Sequence, residues 1–190
     1  MALMKPRNLS ITIGNAISDP FGTATTFKTQ LDAVGSNELT FEKLCTEIEI
    51  KEPENTGETI KTLGATSGNQ NQELDPQSPT KAEFTATILA SPDDDLERDL
   101  EQFKLTASGT KPSGYTRYNY GSAAPSAGVC VVAEANMGSG KPIIDWMLNN
   151  AIIETLGGVK IDAEGHGTQD IRVSCAADDF GKEFDVDGGS

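Results

Sequence analysis

The sequence predicts a mainly β protein with one short α-helix, and three observations carry that prediction. Apolar and polar residues alternate with period two over Lys43–Lys51, Lys81–Leu89 and Thr168–Ala177, the pattern of half-buried strands. Ser91–Leu105 combines a helix start signal with an apolar stripe at helical spacing. The segments between are rich in Gly, Ser and Pro, which favour turns and long connections.

Taken in order, residues 1–9 read as an N-terminal arm, with Pro6 and no periodicity. Ser10–Ile13 fits a short strand, and Gly14–Thr26 is turn-rich. In Lys43–Lys51, Ile48 and Ile50 face one way while Glu47, Glu49 and Lys51 face the other. Gly64–Thr80 is a polar loop whose apolar residues are Ala65 and Leu74. In Lys81–Leu89, Ala82, Phe84, Ala86 and Ile88 oppose Lys81, Glu83, Thr85 and Thr87. The helix follows. Ser91 suits the N-cap, Pro92 the first helical position, and Asp93, Asp94 and Asp95 the positive end of the helix dipole. Leu96, Leu100 and Phe103 form its apolar stripe.

Thr106–Gly128 is a second long loop, and it holds all three tyrosines, Tyr115, Tyr118 and Tyr120. Val129–Ala135 and Trp146–Leu156 are apolar enough for strands, with a turn expected at Asn149-Asn150. In Thr168–Ala177, Gln169, Ile171, Val173 and Cys175 alternate with Asp170, Arg172 and Ser174. Structureless loops beyond about 12–15 residues are uncommon in a small domain. A pair of them in a chain only 36% apolar suggests segments that order against another subunit. Tyrosine is enriched in interface cores, so Leu74, Tyr115, Tyr118 and Tyr120 are the inter-subunit candidates; plain surface loops are the competing reading.

Composition removes several function classes. The 190 residues carry 15 basic and 29 acidic side chains, so 15 − 29 = −14, with a pI near 4.4. No basic patch is available to neutralise phosphates, which argues against gripping nucleic acid. The longest apolar runs, Gly128–Ala133 and Ile143–Leu148 (the latter broken by Asp145), fall well short of the roughly 18 residues a membrane span needs. Membrane insertion is therefore not expected. The start, Met1–Arg7, lacks the apolar core of a signal peptide. Cys45, Cys130 and Cys175 contain no C-x-x-C pair and read as buried free thiols. The acidity fits either adaptation to concentrated salt, where self-repulsion is screened, or an ordinary acidic surface. A melting series from dilute to molar salt separates the two.

No catalytic constellation emerges. Met137–Lys141 superficially suggests a phosphate loop, but Ala135 stands where the first glycine is needed and Pro142 follows Lys141 in place of a hydroxyl residue. His166, the single histidine, lies between glycines and reads as an exposed turn residue. One His without paired Cys gives a transition metal too few ligands. Asp93–Asp95 is accounted for by the helix start, Asp178-Asp179 is a bare acidic pair, and Asp185-Val-Asp187-Gly188 has only two of the alternating oxygens of a calcium loop. Neither a cofactor nor a metal is expected, and the chain does not read as an enzyme.

The order of elements resembles the tail tube (major tail) proteins of long-tailed bacterial and archaeal viruses. The resemblance runs over roughly residues 35–185. It rests on Leu39–Pro53, Glu58–Gly64 with its polar loop, the strand Ala82–Ile88, the acidic helix, and the closing Thr168–Cys175 with Asp179–Phe184. It implies a β-sandwich or partly open barrel flanked by a short helix. On that template residues 10–179 are one domain, with residues 1–9 and 180–190 as arms. The family forms stacked hexameric rings whose joined strands make a conduit for viral DNA.

The resemblance further implies contacts with copies of itself and with terminator, tape-measure and distal tail proteins, in a virion tail made in the host cytoplasm. DNA would pass without specific binding, and an acidic wall suits that. Glu47, Glu49, Glu83 and Asp170 are the candidate lumen-facing residues. The competing readings are another virion sandwich, such as a head decoration or head–tail joining subunit, and an extracellular carbohydrate-binding sandwich.

Overall fold

A computed structural model of the chain describes residues 9–34, 39–40, 45–54, 58–62, 71–75, 79–90, 112–115, 117, 128–136, 142–158, 160–161, 163 and 167–185. In chain order its elements are β1 (Leu9–Asn15), α1 (Phe27–Val34), β2 (Leu39–Thr40), β3 (Cys45–Lys51), β4 (Glu58–Thr62), β5 (Asn71–Asp75) and β6 (Ala82–Ala90). There follow β7 (Val129–Asn136), β8 (Ile143–Leu156), β9 (Lys160–Ile161), β10 (Gly167–Cys175), a 3-10 turn at Ala177–Asp179, and β11 (Phe180–Asp185). The main sheet is antiparallel and open, in the order β2-β1-β7-β8-β10-β6-β3, with β11 added to β8 and β9 to β10. The strands β4 and β5 form a hairpin of their own.

One strand turns this single sheet into two layers. The first half of β8, Ile143–Leu148, lies between β7 and β11, while its second half pairs with β10, Ile152 opposite Ser174 and Leu156 opposite Ile171. Between the halves, Val129 and Val131 of β7 face Ala151 and Leu148, so β8 carries one extra residue there. That is a β-bulge, which bends a strand and increases its twist. Asn150 sits in it at φ 44°, a left-handed conformation that Asn tolerates better than most residues. Gly128 completes the corner: a Cβ there would lie 2.7 Å from the Asn150 backbone. At the same level the neighbouring strand breaks into the 3-10 turn and resumes as β11, and Asn150 Nδ2 donates to Asp179 Oδ1 at 3.0 Å.

The core fills the space between the layers. Ile11, Ile13, Val131, Ala133, Trp146 and Leu148 meet Phe84, Ile88, Ile171 and Val173, with Ile48 and Ile50 of β3 packed against them. The mainly β sandwich with a flanking helix therefore stands. β7 is buried on both faces: Val131 and Ala133 point into this core, while Cys130 and Val132 point the other way into a second cluster with Ile17, Phe27, Leu31 and Met147. Burial on both sides explains why β7 reads as a continuous apolar run rather than an alternation.

Several expectations need correction. Asn149-Asn150 is a bulge inside one 14-residue strand and does not make a turn between two strands. The polar segment Gly64–Thr80 contains β5, paired residue by residue with β4, so part of that loop is a hairpin arm. Leu9, placed in the N-terminal arm, belongs to β1, and the first six residues of the C-terminal arm form β11. The flanking helix that is described is Phe27–Val34, which lies past the turn-rich Gly14–Thr26. It starts at Thr26, whose Oγ1 accepts from Thr29 N (3.3 Å) and whose carbonyl accepts from Gln30 N (3.0 Å). The helix expected at Ser91–Leu105 lies outside the described residues.

Candidate functional site

The outward face of the β3–β6–β10 layer collects the four carboxylates singled out as lumen candidates. Cross-strand pairing places Glu47, Thr87 and Asp170 in one row and Glu49, Thr85 and Arg172 in the next; Glu83 is flanked by Lys51 and Ser174 in a third. Their common face follows from period-two alternation, because Ile48, Ile50, Phe84, Ala86, Ile171 and Val173 take the core side. Glu47, Thr85, Thr87, Asp170 and Arg172 also line a shallow groove of 330 Å³.

The four differ in how their charge is balanced. Glu83 pairs with Arg172 (3.0 Å) and Lys81 (3.3 Å), and Arg172 chiefly holds its carboxyl below the usual range. Glu154 on β8 joins this network through Lys81 (2.6 Å), Arg172 (3.2 Å) and the Ser174 hydroxyl (2.6 Å), and is likewise lowered, first by Lys81. Asp170 accepts from the Thr87 hydroxyl at 2.8 Å and pairs with Lys160 at 3.1 Å, and its pKa is lowered in that order of causes. Glu47 and Glu49 are exposed, and among the described residues they have no ion-pair partner. The face is therefore a mixed-charge surface with one acidic margin on β3, rather than a uniformly negative wall.

A clasp joins the two layers at the β3 end. Glu52, just past β3, accepts from Trp146 Nε1 (3.0 Å) and from Lys182 Nζ (2.6 Å), and Lys182 lies 5.5 Å from the Trp146 ring and 5.4 Å from that of Phe184. Lys182 first, then Trp146, lowers the Glu52 pKa. Asn149 provides a second join: fully buried beside the bulge, it accepts from Ile17 N and donates to Ile17 O, both at 2.8 Å. It thereby satisfies one backbone donor and one acceptor of the chain leading from β1 to α1.

Of the inter-subunit candidates, Leu74 lies on β5 opposite Thr59. Tyr115 is 67% exposed, at the end of a turn in which its amide donates to Pro112 O and Gly114 takes φ 83°. Tyr118 and Tyr120 lie outside the described residues. Cys130 and Cys175 are buried free thiols, pushed up to about 12 by desolvation. Among the described residues no group of three metal-ligating side chains converges, and no helix is long and apolar enough to cross a membrane. Glu52, Asn149 and the carboxylates around Asp145 escaped sequence reasoning. Asp145 left a trace there as the acidic interruption of an apolar run, and Asn149 as half of an expected turn.

No family model and no curated protein matches the chain. Solved structures do. The cap of the anti-feeding prophage, described as its tube-terminating cap, superposes with a TM-score of 0.52 at 9% identity, over 97% of this chain and 93% of that one. The sheath/tube terminator of an extracellular contractile injection system, PVC, in its extended state gives 0.52 at 10% identity over 96% and 98%. The PVC sheath–tube complex gives 0.51 at 10% over 96% and 92%. The chain shares their fold. The relation to tail tubes thus stands at the level of fold. The matched structures are two tube terminators and a sheath–tube complex, and the likeness does not support a major tail protein of long-tailed viruses specifically.

Proposed function

We propose that the chain is a structural subunit of a phage-tail-like tube, assembling with copies of itself into rings that other tail proteins adjoin. The observation that carries this reading is the whole-chain likeness to tube-terminating and sheath–tube proteins. The open sheet supports it physically. Among the described residues β3 and β11 each pair on one side only, and unpaired edges of this kind either meet another strand or invite aggregation.

Within this proposal rings are hexameric, residues 10–179 together with Leu9 and β11 form the ring body, and the particle is a virion or virion-like tail. Leu74, Tyr115, Tyr118 and Tyr120 contact neighbouring copies. Glu47 and Glu49 lead the lumen-facing set, with Glu83 and Asp170 beside them, and DNA passes without specific binding. A second placement, at the end of the tube rather than along it, is favoured by the terminating role stated for two of the matched structures.

Negative-stain microscopy of the purified chain tests both. Hollow cylinders support the tube position and isolated rings the terminal one, whereas a monomer at every concentration and ionic strength overturns the proposal. The lumen assignment has its own test. The double substitution Glu47→Lys and Glu49→Lys leaves ring assembly intact but slows DNA delivery by the particle, because a cationic wall binds phosphate through counterion release. Unchanged delivery contradicts it.

A further inference from the structure

α1 begins directly over three carboxylates. Glu134 on β7, Asp145 on β8 and Glu183 on β11 are paired cross-strand neighbours and form one row on the face that carries the helix. Asp145, at the centre, is only 8% exposed, and its Oδ1 has no hydrogen-bond partner. Glu183 is its direct cross-strand neighbour on β11, so the two carboxyl groups lie side by side on this face. Two ionised carboxylates have no proton to donate, so a hydrogen bond between such neighbours forms only when one of them carries a proton. Glu183 Oε1 in turn accepts from the backbone N–H of Phe27 at 2.8 Å, which is the first residue of α1. Two residues back on β11, Gly181 lies directly under the rings of Phe21 and Phe27, so helix and strand are packed at the same place.

Among the described residues the charged surroundings are one-sided. Glu134 faces Asp145 from β7, and Glu183 faces it from β11, with Asp185 further along the same face of that strand. α1 supplies a single cation to the row, Lys28, which reaches Glu134 at 3.7 Å. Among the described residues no arrangement suits a metal ion. Burial first, then the charges of Glu134 and Glu183, push the Asp145 carboxyl up to about 7, with Lys28 opposing.

We propose that Asp145, Glu183 and the Phe27 amide form a proton-operated latch, which holds the start of α1 and strand β11 on the sheet when Asp145 is protonated and loosens both when it ionises. With the proton in place, Asp145 donates to Glu183 and Glu183 accepts from the helix. Without it, three adjacent carboxylates repel one another beside a buried surface, and the strand with an unpaired outer edge is the element able to move. This inference rests on the fold alone and is independent of the tube reading.

The test is a carbon-detected NMR titration of the Asp145 carboxyl, together with hydrogen exchange of the Phe27 and Gly181–Asp185 amides. Exchange is followed at about pH 5.5 and about pH 8.5, on either side of the midpoint. The expected midpoint lies near neutrality, and protection at these amides falls by about tenfold or more from the lower to the higher pH. In Asp145→Asn, which cannot ionise, protection stays constant with pH. His166→Gln, which removes the single imidazole of the sequence, behaves as the natural chain. A midpoint in the ordinary carboxylate range, constant protection in the natural chain, the same fall in Asp145→Asn, or loss of the fall in His166→Gln overturns the latch. Should Asp145→Asn fail to fold, the titration midpoint of the natural chain still decides.

Discussion

On the outer face of the β3–β6–β10 layer, carboxylates sit in water beside cations; on the outer face of the β1–β7–β8 layer, one sits beneath a helix among other carboxylates. Glu83, Glu154 and Asp170 have their pKa values lowered by Arg172, Lys81 and the Thr87 hydroxyl, respectively, whereas Asp145 is pushed up to about 7. The same residue types, on the same kind of strand, thus acquire opposite character. What differs is cover. A helix laid over a sheet removes water that would otherwise solvate the charge, and desolvation then outweighs a distant lysine. An open face keeps its water, so its pairs contribute little to stability and remain available to meet another molecule.

If cover is the decisive difference, substitutions beneath α1 will cost most. Leu31→Ala, which removes a fully buried side chain from the second cluster, is expected to destabilise by about 2–5 kcal/mol in denaturant unfolding. Thr85→Ala on the open face should stay within about 0.5 kcal/mol. Equal costs would dissolve the contrast. Asn149→Ala comes next, at about 2 kcal/mol by the same measurement, because the amide and carbonyl of Ile17 lose their buried partner.

Acid gives a smaller effect and separates the faces by sign. Glu83, Glu154, Asp170 and Glu52 are lowered in the folded chain, so the stability they confer is present above about pH 4.5 and is lost as pH falls through their folded values. Asp145 runs the other way. Its contribution is complete below its unfolded value and is lost as pH rises through about 7. Thermal melts across the acid and neutral range should therefore show a stability maximum between the two limbs, and Asp145→Asn should remove only the upper one. The smallest effect is expected for Glu154→Gln, whose carboxylate is solvated. Its melting temperature should drop slightly in dilute buffer and match the natural chain in molar salt, where exposed pairs are screened.

How much of this was legible depended on the range over which each signal acts. β6 and β10 announce themselves through local alternation, Ala82/Phe84/Ala86/Ile88 and Ile171/Val173/Cys175, and one buried face is enough to explain each. The helix at Phe27–Val34 left a fainter mark: Thr26 as cap and Phe27 and Leu31 at i, i+4 are readable, but eight residues give the pattern barely two turns. Asn149-Asn150 carries a turn's composition, yet the pairing of Leu148 and Ala151 with β7 on either side converts it into a bulge. The collection of Glu47, Glu49, Glu83 and Asp170 on one face follows from period two once β3, β6 and β10 are adjacent. The ion pairs that neutralise two of them depend on cross-strand register, which one sequence does not encode locally. The Glu134–Asp145–Glu183 row is non-local in the same way.

The claim on which the functional account turns is that the open edges of this sheet are completed by further copies of the chain. Native mass measured over a dilution series, with hydrogen exchange read on β3 and β11 in each species, addresses it most directly. The account predicts a closed ring of defined copy number that dissociates on dilution, with protection at an edge strand gained in the ring and lost in the monomer. A chain that stays monomeric at all concentrations, with both edges exchanging alike throughout, would contradict it.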